Sequence, residues 1–115
     1  MHRQLIIFAR QGSKSWKNLK SIFSKTARAE DVDWCTSLES FLRKFRTYNC
    51  YSTVLLLIET HSDLEEFLNF SDFFNGLRVF LILPDREEET ISMGDRLFPR
   101  FVTYIDSDFK GLSLK

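Results

Sequence analysis

The chain has 115 residues, enough for one domain with a sizeable core, and it is 43% hydrophobic with twelve Phe but only four Gly and two Pro; this composition excludes a disordered or low-complexity protein and argues against a loop-rich sandwich. Formal net charge is zero, yet residues 1–28 carry seven Lys/Arg and no acid, so the chain divides into a basic start and an acidic remainder. No apolar run approaches the ~18 residues that span a membrane, and the opening MHRQLIIFAR has a short apolar stretch without a small-residue cleavage site, so a cytoplasmic protein is expected.

The first element is a strand at residues 4–9 (QLIIFA), a continuous apolar run of the kind buried on both faces of a parallel sheet. A helix over residues 15–27 follows. It places Trp16, Leu19, Ile22 and Phe23 on one face and Lys14, Lys17, Lys25 and Arg28 on the other, so the basic start of the chain is mainly the wet side of one amphipathic helix. Residues 32–35 (VDWC) form a weaker strand candidate. TSLE at 36–39 is a capping box, which opens a helix with Leu38, Phe41, Leu42 and Phe45 inward. Arg43, Lys44 and Arg46 lie toward its C-terminal end, where the helix dipole favours cations.

Residues 53–58 (TVLLLI) make the third strand. A second box, SDLE at 62–65, opens a helix with Leu64, Phe67 and Leu68 inward, continued or restarted through Phe73 and Phe74 and stopped by Gly76. The fourth strand is 79–83 (VFLIL). The acidic run DREEE at 85–89 then feeds a helix over 88–98, interrupted by Gly94 and closed before Pro99; acids at a helix start suit the dipole and require no ligand. The mixed run FVTYI at 101–105 suits an edge strand.

Strands and helices thus alternate with short connections. This predicts a three-layer α/β/α sandwich with right-handed crossovers and a five-stranded parallel sheet in the flavodoxin-like order 2-1-3-4-5, residues 1–115 forming a single domain. After Phe109 only KGLSLK remains, too short for a fifth helix, so the last helix is expected to be missing or truncated, either because the chain was cut from a longer protein or because one face is left without its helix. The face beside the first helix is therefore expected to be partly bare, a surface for a homodimer or a protein partner unless Phe109 and Leu112 fold back over it.

VDWCTSLESFLRKF (32–45), YSTVLLLIET (51–60), RVFLILPD (78–85) and PRFVTYIDSDF (99–109) together make the chain resemble the receiver domain of two-component response regulators, over roughly residues 3–109. The resemblance implies a chemical pocket at the C-terminal strand edge. There an acidic pair holds a metal, an Asp accepts a phosphoryl group, a hydroxyl ends the fourth strand and a Lys follows the fifth. This chain departs at each position. It has Arg10 where acids are needed, Glu59 or Thr60 at the acceptor, Pro84 and Asp85 after the fourth strand, and Asp106 in place of Lys. The reading is a degenerate receiver, non-phosphorylatable and non-enzymatic, with no metal and no cofactor. Arg10 is expected to pair with Glu59, Asp85 or Asp106. Tyr104, at the family's aromatic position, and Phe109 mark a possible interaction face.

The alternative is a flavodoxin-like domain that binds a nucleotide or flavin through the loop after strand one, with Gly12, Ser13, Lys14 and Ser15 as anion-binding residues ahead of a helix N-terminus. That loop does not satisfy the Walker A pattern. Catalysis by His61, beside Glu59, lacks a nucleophile motif, although Cys35 falls at the end of strand two. Cys35 and Cys50 match no metal or redox spacing and are read as free thiols. Nucleic-acid binding is not expected, since no aromatic–basic interleaving accompanies the lysines.

Overall fold

The computed structural model describes residues 5–10, 12–26, 32–48 and 52–106. Strands β1 (Leu5–Phe8), β2 (Val32–Cys35), β3 (Thr53–Leu57), β4 (Arg78–Leu83) and β5 (Phe101–Tyr104) form one parallel sheet in the order β2-β1-β3-β4-β5. Helices α1 (Lys14–Thr26), α2 (Leu38–Tyr48), α3 (His61–Leu68) and α4 (Glu88–Asp95) connect them, with a 3-10 turn at Ser71–Phe74 before β4. This is the flavodoxin-like α/β sandwich expected from the alternation of apolar runs and amphipathic segments.

Alternation along each strand divides the core in two. Ile6, Phe8, Val54, Leu56, Val79, Leu81 and Leu83 pack with α2, α3, α4 and Phe74. Leu5, Ile7, Leu55, Leu57, Phe80 and Ile82 pack on the other face with Leu19 and Phe23 of α1. The first layer is built on phenylalanine. The Phe41 ring is fully buried and meets Phe67 edge-on at 5.4 Å, Phe45 stacked at 5.8 Å and Phe74 at 6.1 Å, while Phe67 reaches Phe8 in the sheet at 4.8 Å. Edge-to-face rings fill irregular space between helices and add to the burial of their own area.

Several boundaries differ from the sequence expectation. The cap of α2 is Ser37 and not Thr36: its Oγ accepts from Ser40 N–H at 3.1 Å and its carbonyl accepts from Phe41 N–H. The cap of α3 is Thr60, whose Oγ1 accepts from Asp63 N–H at 3.1 Å, so this helix starts before the expected SDLE box. A hydroxyl caps only where the backbone turns, and both turns come earlier or later than the box pattern alone places them. α4 stops at Asp95, short of residue 98. Gly94 does not interrupt it but lets it approach the sheet: a Cβ there would lie 3.3 Å from Cδ1 of both Leu81 and Leu83.

The face beside α1 is not bare in the way expected. Leu55, Leu57, Phe80 and Ile82 are all buried, with at most 6% exposure, while Trp34 of β2, Phe101 of β5 and Ile105 just after it are half-buried at the edges of this face. The buried strand residues therefore offer no exposed apolar patch for self-association. Phe109 and Leu112 lie outside the described residues.

Among the described residues Phe73 is partly exposed and Phe98 stands almost wholly in solvent. Phe98, between α4 and β5, is 85% exposed and has φ +52, a left-handed conformation that a bulky residue adopts at a cost. Phe41 and Phe98 should respond oppositely to substitution. Phe41→Ala is expected to lower stability by about 3–5 kcal/mol through cavity formation. Phe98→Gly is expected to leave stability unchanged or raise it by up to about 1 kcal/mol by relieving the positive φ. Urea unfolding midpoints of both variants against the parent check this.

Candidate functional site

The strand ladders continue one residue past the strands: Ala9 N–H reaches Cys35 O, Ile58 N–H reaches Ile82 O, and Ile105 N–H reaches Leu83 O. The residues that follow are thus delivered together to the C-terminal edge of the sheet. In open α/β sheets this edge is where ligands bind. Arg10, Glu59, Thr60, Pro84, Asp85 and Asp106 all arrive there, as the sequence implies, but their pairing is different.

Arg10 does not pair with Glu59, Asp85 or Asp106. Its guanidinium forks onto Asp63 in the first turn of α3, with Nε to Oδ2 at 3.0 Å and Nη2 to Oδ1 at 2.7 Å. Asp63 is buried and Arg10 about half-exposed. Glu59 and Glu66 contribute only through their field: the hydrogen bond to Asp63 is the main cause that raises the Arg10 pKa above its ordinary value, with burial opposing it and the nearby carboxylates adding to it. Asp63 was hidden in the sequence as the inner residue of an assumed capping box. Its signal was an acid at the third helical position, which favours the dipole and which, in a parallel fold, faces the β1 loop. The Arg10 guanidinium carbon also lies 5.5 Å from the centre of the Phe8 ring.

A second group links α3 to the loop before α4. His61 Nε2 lies 3.2 Å from Asp85 Oδ2 and 2.6 Å from the hydroxyl of the fully buried Thr90. Asp85 Oδ1 accepts from Glu87 N–H at 3.0 Å. The Asp85 carboxyl is held below its ordinary value, first by the Thr90 hydroxyl, then by the Glu87 N–H, with His61 adding. Donor atoms of His61, Asp85 and Glu87 all lie within 4.8 Å of one another, a spacing open to a metal ion. Thr90 and Glu87 were not anticipated as a group with His61, because neither spacing nor pattern relates residue 61 to residues 85–90.

The third group is Arg86 with Asp106. They form a salt bridge across the β4 and β5 loops, and the Arg86 guanidinium carbon sits 4.3 Å from the Tyr104 ring centre. Tyr104 is accordingly a half-buried floor beneath a cation, while Phe109 lies outside the described residues. The Pro84 ring is half-buried beside this edge and offers no hydroxyl.

The loop after β1 is less suited to an anion than its sequence suggests. Gly12 has φ +94, as a tight turn requires. Ser13 Oγ, however, accepts from Trp16 N–H at 3.0 Å and so caps α1 itself. Lys14 is exposed and Ser15 half-buried. Of the basic helix face, Lys20 lies over the Trp34 ring at 4.4 Å; Lys14 and Lys17 are solvated. Cys35 is a buried free thiol, and burial raises its pKa, against the action of Ser40 and Lys44, which suits a packing residue better than a nucleophile. Cys50 lies outside the described residues. Among the described residues no helix is long and apolar enough to cross a membrane. Comparisons with protein-family models, with curated proteins and with solved structures returned no match.

Two expectations follow. Arg10→Ala leaves the buried Asp63 carboxylate without its cation and should destabilise by about 1–3 kcal/mol. Asp63→Asn still accepts from Arg10 and should cost less. The double variant should be more stable than Arg10→Ala alone. Equilibrium urea unfolding checks this order, and a neutral Arg10→Ala would contradict it. Separately, a carboxyl with a lowered folded-state pKa stabilises the fold above its ordinary value near pH ~4 and loses that contribution as pH falls through the folded value. Thr90→Val removes the main cause of the lowering at Asp85, so its urea midpoint should fall less steeply below about pH 4 than that of the parent.

Proposed function

We propose that this chain is a receiver-like signalling or protein-interaction module without catalytic activity, a domain that keeps the sheet and helices of a phosphorylatable receiver but not its chemistry. The observation that carries this reading is the Arg10–Asp63 fork. Phosphoryl transfer to an acid at this edge requires metal and cationic groups that balance the charge developing on the phosphoryl oxygens. Here a guanidinium occupies the acidic side of the edge and is already matched to a buried carboxylate. Near the position where a receiver has its Lys after the fifth strand, this chain has Asp106, bound to Arg86.

With the edge closed by its own ion pairs, recognition falls to the outer surface. The segment between α4 and β5 supports that role. Phe98 projects into solvent from a strained backbone, with exposed Arg96 and Arg100 on either side. Backbone strain combined with an exposed aromatic is poorly explained by folding, and aromatic and Arg side chains are the commonest anchors in protein interfaces. The Arg86–Tyr104 stack continues this side of the domain along β5.

The small-molecule alternative rests on the β1–α1 loop, and the use of Ser13 as a helix cap leaves it weaker. The test is incubation of the whole chain with acetyl phosphate and Mg2+, followed by intact-mass spectrometry. The expected result is an unmodified mass. A stoichiometric phosphoryl adduct would overturn the reading.

A further inference from the structure

We propose that His61, Asp85 and Glu87 form a binding site for one divalent first-row transition-metal ion of zinc type, tying the start of α3 to the loop that leads into α4. The site is separate from the Arg10 side of the edge, where the receiver resemblance would have placed a metal, and it depends on different residues.

The donor set is chemically coherent. One imidazole nitrogen and two carboxylate oxygens suit zinc, nickel or cobalt; magnesium and calcium prefer oxygen-only shells. Two ligands are already near the right separation. His61 Nε2 and Asp85 Oδ2 are 3.2 Å apart, and two ligands on a tetrahedral ion with bonds of about 2.0 Å lie roughly 3.3 Å apart. The Glu87 oxygen lies within 4.8 Å of the others and is carried by an exposed side chain, so a rotation suffices to close the third position. Remaining positions would be taken by water.

Two further features favour this use over a purely structural one. Glu87 occupies the N-cap position of α4, yet its side chain makes no capping hydrogen bond. Asp85 and Glu87 bring two carboxylates together, and among the described residues neither is paired with a Lys or Arg; the intervening Arg86 turns instead to Asp106. A divalent cation would balance that pair of charges.

Thr90 supplies the supporting shell. Its buried hydroxyl lies 2.6 Å from His61 Nε2, behind the ligand pair. With a metal on Nε2, the single hydroxyl proton of Thr90 would turn to Asp85 and orient that carboxylate from behind. Such outer partners commonly alter metal affinity by about 10–100-fold when removed.

The experiment is titration of the whole chain with ZnCl2 by calorimetry, in a non-chelating buffer, beside His61→Ala and Glu87→Gln. Glu87 is exposed and His61 half-buried; Glu87→Gln keeps shape and fold while weakening a ligand, and so carries the test should His61→Ala fail to fold. The expected result is one saturable equivalent, weakened about tenfold or more in each variant, with a zinc-dependent rise in thermal midpoint that Glu87→Gln loses. CoCl2 should give a spectrum without a thiolate charge-transfer band, and MgCl2 should not saturate. Absence of saturable zinc uptake overturns the proposal, as does uptake unchanged in both variants, a cobalt–thiolate band indicating Cys35 or Cys50, or magnesium binding as tight as zinc.

Discussion

The interaction on which the candidate site depends is the fork between Arg10 and Asp63. It joins the residue that leaves the central strand β1 to the first turn of α3, two segments separated by 53 positions. A carboxylate buried at the base of a helix requires a partner, because an uncompensated charge in that environment is strongly unfavourable. Arg10 is the cation that β1 delivers to it. The pair therefore fixes how the β1 loop meets α3 and assigns the charge of that half of the sheet edge. The guanidinium fork suits this role better than a lysine would, since two parallel bonds set orientation as well as charge.

From that pair the rest of the edge falls into compartments. Asp106 is held by Arg86, and Arg86 in turn rests on the Tyr104 ring. His61, Asp85 and Thr90 form a third group that connects α3 with α4. Each group links two different β–α units, so the edge is a set of clasps between units whose strands are neighbours in the sheet. That arrangement suits a domain of fixed shape. Arg10 and Arg86 are each matched to an acid, while Asp85 and Glu87 have no Lys or Arg partner among the described residues.

The core tells the same story at another scale. Phe8, Phe41, Phe67 and Phe74 interlock between the sheet and the helices α2 and α3, while Gly94 lets α4 come down on Leu81 and Leu83. Close-packed interiors of this kind have low compressibility, so a change of volume at one ring is felt by its neighbours. Against this filled core, Phe98 is the exception, an aromatic ring held out in solvent on a strained backbone.

The sequence by itself determined the layer order. Continuous apolar runs such as TVLLLI can satisfy burial on both faces only within a covered parallel sheet, and the helical periodicity between them left one sensible topology. It also showed residues at the receiver-like positions, Arg10, Glu59, Pro84 and Asp106, that differ in kind from those of a phosphorylatable receiver. What the tertiary structure decided was pairing. Asp63 looked like part of a cap, and only the closeness of the β1 loop to α3 made it the partner of Arg10. Thr90 looked like one more polar residue in a short helix, and only burial against His61 and Asp85 gave it a role. Periodicity reports which face of an element is buried. It carries no information on which residue of a distant loop will lie within 3 Å, because that depends on register, crossover and the depth at which each helix packs.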